Sequence, residues 1–203
     1  MNRKDIAHQT LEIQERGYYE LEGRRVDIAA AQALSEKKSF LLDPDQALKL
    51  VADKTPPQGG AGPDYIVVNQ SAVDALVEQG QAGFKPAVLN FASAKNPGGG
   101  FLNGAMAQEE ALAASSGLYK TLLLHPAYYE NNRACRSMMY THHAIYSPEV
   151  VFFRDGKFKL LGEPNTASVV TLPAVDIGQA RLKGENETKA KGAVKGRMRL
   201  SLA

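Results

Sequence analysis

The chain of 203 residues has a single cysteine, Cys135. An internal disulfide framework is therefore excluded, and a reducing compartment is expected. No histidine pairs with Cys135 at a readable spacing, so the thiol is expected to be passive. An apolar run long enough to cross a membrane is missing. No signal peptide is expected either, since the start Met1-Asn2-Arg3-Lys4-Asp5 is polar. A cytoplasmic protein with no membrane partner is expected. Excess charge is lacking as well: 24 Lys and Arg face 22 Asp and Glu, a formal +2. That balance gives no reason to expect direct nucleic-acid binding. His, Cys, Asp and Glu never cluster at ligand spacing, so neither a metal nor a cofactor is expected.

What remains is an ordinary globular composition, 44% hydrophobic and 23% charged, in a chain long enough for one sizeable core. Ile6, Leu11 and Ile13 suit a first helix ending at Gly17, and residues 18–28 alternate around Glu22-Gly23 as a hairpin. Asp43-Pro44 supplies an N-cap and N1 proline for a helix through Ala52. Residues 55–63, rich in Pro and Gly, read as a linker. It separates an N-terminal accessory region of helices and hairpin, residues 1–62, from a main domain, residues 63–203. In that domain residues 65–69 read as a strand, Ser71 caps a helix, and residues 87–92 form the next strand. Residues 119–124 continue a core-facing helix. Asp155-Gly156 turns a hairpin over 150–161, and residues 168–174 are a buried strand. The alternation of strand and helix predicts an α/β layered fold. The charged stretch at 185–195 reads as solvated, and Lys189, Lys191, Lys195, Arg197 and Arg199 form a modest basic run, expected as a helix face or a loop rather than a nucleic-acid site.

The central feature follows the strand at 87–92. Asn96-Pro97-Gly98-Gly99-Gly100 lets the backbone take positive φ and approach a ligand, with N–H groups able to cradle an anion. Gln108-Glu109-Glu110 then opens a helix. It is not a Walker loop, because Ala105 and Met106 stand where lysine and a hydroxyl are needed. Asn103 likewise breaks a dinucleotide fingerprint. Two glutamates at a helix start also suit the dipole without any function. Adjacent helical residues point about 100° apart, so Glu109 and Glu110 cannot flank one bond and need separate roles. Among weaker candidates, His142 and His143 face opposite sides of a strand and would not chelate one metal. Tyr128-Tyr129 reads as packing and Ser115-Ser116 as capping.

The Asn96-Pro97-Gly98-Gly99-Gly100 to Gln108-Glu109-Glu110 element resembles the signature of macrodomain-type bacterial poly(ADP-ribose) glycohydrolases. Ser115-Ser116-Gly117-Leu118-Tyr119, Tyr146-Ser147-Pro148-Glu149-Val150 and Ile6-Ala7-His8-Gln9-Thr10-Leu11 extend the likeness over most of the chain. The resemblance implies a three-layer α/β/α fold with a mixed sheet and hydrolysis of ribose–ribose bonds in poly(ADP-ribose). Its ligands would be ADP-ribose, the polymer and ADP-ribosylated proteins. Glu110 would be the general acid that then activates water, and Glu109 would hold ribose hydroxyls. Gln108 would orient the site. Gly98, Gly99 and Gly100 would contact the diphosphate and distal ribose, and Asn96 the distal ribose. Burial and a neighbouring carboxylate are expected to keep a proton on the acid. Against that family the chain is expected to end short of a second glycine-rich loop. Two alternatives stay open: an ADP-ribose-binding module without hydrolysis, and an inactive shortened remnant.

Overall fold

A computed structural model describes residues 2–53 and 64–202. Asn2 and Asp5 form a reciprocal cap on helix α1 (Arg3–Arg16), which stops at Gly17 with φ 74°. Strands β1 (Tyr18–Leu21) and β2 (Arg24–Asp27) make the expected hairpin, pairing Tyr18 with Asp27 and Leu21 with Arg24. Its turn residues Glu22 and Gly23 sit at φ 52° and 75°, as two-residue hairpin turns require. Helix α2 (Ala29–Lys38) has no side-chain N-cap and buries Gln32 and Ser35. It shows no apolar stripe, and so the sequence pattern does not announce it. Strand β3 (Phe40–Leu42) leads into α3 (Pro44–Asp53). The Asp43 cap is present: the Gln46 N–H donates to its carboxylate at 2.8 Å.

The strand expected at 65–69 does not form. The stretch has no regular structure, and Tyr65, Ile66 and Val67 are 87%, 82% and 99% exposed. Strand propensity expresses packing against neighbours, and among the described residues these side chains have none. Helix α4 (Ala72–Gln81) follows, with Ser71 accepting from the Asp74 N–H at 3.0 Å. Strand β4 (Ala87–Ala92) and helix α5 (Gln108–Ser115) occupy the expected positions, followed by α6 (Leu118–Leu123) and α7 (Pro126–Ala134). The hairpin around Asp155-Gly156 joins β5 (Ala144–Arg154) to β6 (Leu160–Pro173). Its second arm and the buried strand expected downstream are one continuous β6. Helices α8 (Ile177–Leu182) and α9 (Glu187–Ser201) complete the chain.

Among the described residues the central sheet has the order β3-β5-β6-β4. β4 runs parallel to β6 from Ala87 opposite Ser168 to Ala92 opposite Pro173. β3 and β6 each pair with β5 antiparallel, so the sheet is mixed. Alternation along each strand sends side chains to opposite faces. Leu41, Val88, Ile145 and Val169 meet Leu76, Leu112, Leu122 and Tyr129 of α4, α5, α6 and α7. Leu42, Leu89, Val170 and Leu172 meet Ala47 of α3 and Leu200 of α9 on the other face. The architecture is therefore the expected α/β/α sandwich. Leu112, Leu118 and Leu122 are wholly buried, and each such side chain contributes about 2 kcal/mol.

The expected boundary at residue 62 lies outside the described residues. On its N-terminal side, β3 joins the central sheet. α1 is tied to α5, with Thr10 Oγ1 donating to the Ala114 carbonyl at 2.7 Å and Gln14 Nε2 to that of Ser116 at 2.7 Å. α9 carries the basic run, but Arg197 is 5% exposed. The run lies on a helix, as expected, with Arg197 alone among its five cations turned into the molecule.

Candidate active site

β4 delivers the chain to the carboxyl end of the sheet, where ligands of α/β folds bind. Ser93 Oγ there accepts from the N–H groups of Lys95 at 3.2 Å and Asn96 at 3.1 Å. The loop then folds back, with the Gly99 N–H donating to the Asn96 carbonyl and that of Phe101 to the Gly98 carbonyl. Gly98 and Gly99 lie at φ 66° and 59°. Space and backbone both demand glycine at 99: a Cβ there would stand 2.4 Å from Glu110 Oε1 and 3.0 Å from Glu109 Oε2. The two carboxyls therefore converge on the glycine loop, although they leave the helix in different directions.

Three side chains at the start of α5 fix this arrangement. Gln108 places its amide on the outer edge of β4, accepting from the Phe91 N–H at 2.9 Å and donating to the Leu89 carbonyl at 2.8 Å. Glu109 turns inward and accepts from the Ser93 N–H at 2.6 Å. Its other oxygen, Oε1, is buried and has no hydrogen-bond partner among the described residues. Glu110 accepts from the Gly100 N–H at 2.9 Å and reaches back to the Ala107 N–H at 3.0 Å. Ala107, at the N-cap, has no side-chain oxygen, so only this reverse half of a capping box forms.

Burial raises the Glu109 carboxyl to about 7. The Ser93 N–H opposes that shift and the charge of Glu110 adds to it. The burial expected to retain a proton on the acid thus falls on Glu109, while Glu110 is half-buried. Both glutamates and the exposed Asn96 line a cleft of about 370 Å³, within the size range of small-molecule sites. Tyr140, Ala174 and Asp176 supply further walls.

That second group of residues is invisible to sequence reasoning. Arg197 assembles it by donating to the carbonyls of Pro173 at 2.8 Å, Thr141 at 2.9 Å and Met139. Glu185 accepts from Ser137 Oγ and the Met138 N–H, both at 2.7 Å. Asn132 accepts from the Thr141 N–H at 2.9 Å. No local motif foretells contacts between positions so far apart. Of the weaker candidates, the tyrosines pack and Ser116 bonds a helix-end carbonyl as expected, while His142 and His143 precede β5 and do not lie on a strand. Tyr128 and Tyr129 are buried, their rings packed edge to face at 4.7 Å. Ser116 Oγ donates to the Leu112 carbonyl at 2.7 Å. His143 Nδ1 lies 2.8 Å from Thr141 Oγ1.

The sequence matches the family described as microbial-type PARG, catalytic domain, over residues 7–155. The chain belongs to this family of poly(ADP-ribose) glycohydrolases. It is a glycosidase of that type. The crystal structure of the poly(ADP-ribose) glycohydrolase from Thermomonospora curvata superposes with a TM-score of 0.93 at 38% identity, covering 98% of this chain and 73% of that one. The same enzyme bound to the inhibitor ADP-HPD gives 0.88 at 38% identity, covering 98% and 72%. The Deinococcus radiodurans glycohydrolase in complex with ADP-ribose gives 0.74 at 33% identity, covering 91% and 71%. No curated protein sequence matches the chain. Among the described residues, no helix is long and apolar enough to cross a membrane. Within the same residues, no three His, Cys, Asp or Glu side chains group as a metal site.

Proposed function

We propose that the chain hydrolyses the ribose–ribose O-glycosidic bonds of poly(ADP-ribose) and releases ADP-ribose, with Glu110 as general acid and then base. The observation that carries the reading is the convergence of both carboxyls on Gly99 at the cleft. It supports a reading in which the proton donor stands beside a loop suited to cradle the diphosphate. Gly98, Gly99 and Gly100 offer N–H groups to the phosphates, and Asn96 binds the distal ribose. Glu109, protonated near neutral pH, can both donate to and accept from ribose hydroxyls. In this structure Glu110 accepts from the Gly100 and Ala107 N–H groups. An incoming diphosphate competes for the Gly100 N–H and so frees that carboxyl oxygen to face the linking oxygen.

The step then balances simply. Glu110 gives its proton to the linking oxygen, which leaves with the electron pair of the C–O bond. The ribosyl carbon passes through an oxocarbenium-like state. Water adds to that carbon, and its proton returns to Glu110. The catalytic domain is proposed over residues 63–203, with residues 1–62 as an accessory region that lends β3 to its sheet and α3 to one of its faces. ADP-ribosylated proteins are the natural carriers of the substrate. A cytoplasmic location fits the unpaired Cys135.

The test is incubation with poly(ADP-ribose), comparing the parent with Glu110→Gln. The parent is expected to release ADP-ribose, and the variant to do so about 10²–10⁴-fold more slowly with an unchanged melting temperature. Equal release by both removes Glu110 from its role. Binding of ADP-ribose without release by the parent favours the binding-module alternative.

A further inference from the structure

Tyr140 sits at φ 55°, a region that a bulky side chain rarely enters. Three other non-glycine residues share this property, and for Glu22 and Glu149 the strand geometry accounts for it. Glu22 is in the β1–β2 turn. Phe158 closes the β5–β6 loop by donating its N–H to the Asp155 carbonyl. Glu149 lies where the register of β5 shifts between Ser147 and Val150. Tyr140, like Phe158, is the fourth residue of a turn, its N–H donating to the Ser137 carbonyl at 3.2 Å, and positive φ is not required at that position.

Strain of this kind persists only where the surroundings over-determine it. Here they do. One nitrogen of Arg197, Nη2, bonds the carbonyls on both sides of Tyr140, those of Met139 and Thr141. Asn132 holds Thr141 from α7, and Glu185 holds Ser137 and Met138 from the segment between α8 and α9. Glycine or asparagine would occupy position 140 with less strain. The chain carries an aromatic residue there, and that residue lines the cleft together with Glu109, Glu110 and Asp176. Burial, followed by the Asp176 carboxylate, raises the Tyr140 phenol, which places these two groups within electrostatic reach.

We infer that Tyr140 is a substrate-contacting residue whose ring forms the wall against which the sugar face of an ADP-ribosyl group packs. An aromatic ring with a polar tip suits a ribose, which presents C–H groups on one face and hydroxyls at its edge. The inference rests on the cleft being the ADP-ribose site. Arg197, Asn132 and Glu185 then hold the backbone strain that keeps the residue in place.

The experiment compares the parent, Tyr140→Gly and Tyr140→Phe by ADP-ribose titration calorimetry and thermal melting. Tyr140→Gly suits the left-handed backbone, so it is expected to melt no lower than the parent. It is expected to bind ADP-ribose about tenfold more weakly, a loss of one aromatic contact. Tyr140→Phe keeps the ring and is expected to stay within about threefold of the parent. A glycine variant that binds as tightly as the parent, or that melts well below it, overturns the inference. A parent that fails to bind ADP-ribose overturns the reading of the cleft itself, and this inference with it.

Discussion

The two sides of the cleft are built in opposite ways. On the glutamate side every fixing contact is local: Glu110 to Gly100 spans 10 residues, Glu109 to Ser93 spans 16 and Gln108 to Leu89 spans 19. On the Tyr140 side, Arg197 reaches back 24 residues to Pro173, 56 to Thr141 and 58 to Met139. Short loops cost little entropy to close and long ones cost more. The first side can form as soon as α5 docks on β4. The second has one local contact, Asn132 to Thr141, and otherwise draws on Glu185 and on Arg197 of α9.

The largest expected effect tests that dependence. Arg197→Ala strips donors from three carbonyls at once, two of them flanking Tyr140. Unfolding in urea is expected to show a loss of about 3–4 kcal/mol, since hydrogen bonds from charged donors contribute about 1.5–3 kcal/mol each and partly overlap. A loss within about 0.5 kcal/mol, as for an ordinary surface change, would erase the distinction between the two sides.

The next effect concerns the glutamate side and pH. Glu109 lies at about 7 in the folded protein against an ordinary 4.5. Between these values the folded chain holds the proton and the unfolded chain releases it. Stability therefore falls as pH rises from about 4.5 to 7, by at most about 3 kcal/mol. Glu109→Gln cannot ionise and is expected to flatten this slope, measured as urea midpoints at pH 5 and pH 8. An unchanged slope would show that Glu109 is not buried as described.

A smaller effect isolates the glycine turn. Gly99→Ala forces a Cβ toward Glu110 Oε1 at φ 59°. It is expected to cost about 2 kcal/mol, from left-handed strain and displaced carboxyls together. Gly184→Ala shares a positive φ, 71°, but meets no atom within 4 Å. It is expected to show the strain alone, at about 1 kcal/mol. Equal costs at both positions would mean that the carboxyls at Gly99 yield freely.

The same contrast explains what the sequence discloses. The glutamate side lies within residues 89–115, where strand, glycine turn and helix start follow one another and their chemistry can be read in order. Helix starts with polar caps, at Asp43 and Ser71, are legible for the same reason. α2 is not, because it buries Gln32 and Ser35 where a pattern search looks for apolar residues. Residues 65–69 mislead in the other direction: they carry strand-forming side chains without a neighbour to pair with. Arg197 looks like one more charge in a basic run, and only the packing of α9 reveals it as buried. Tyr140 carries no signal at all, because a residue's φ is set by what grips its neighbours. Which of two adjacent glutamates is buried is likewise decided by the direction in which α5 enters the sheet edge.

Gln108 brings two properties of this molecule under one side chain. A strand at the rim of a sheet is open to a strand from another molecule. The amide of Gln108 occupies a donor and an acceptor that such an intruder would use, and so imitates a short length of neighbouring chain. Within the described residues, the group that sets where the acidic pair begins thus also fills two backbone partners of β4. An exchange at this one position is expected to release both and to loosen the start of the helix that carries Glu109 and Glu110.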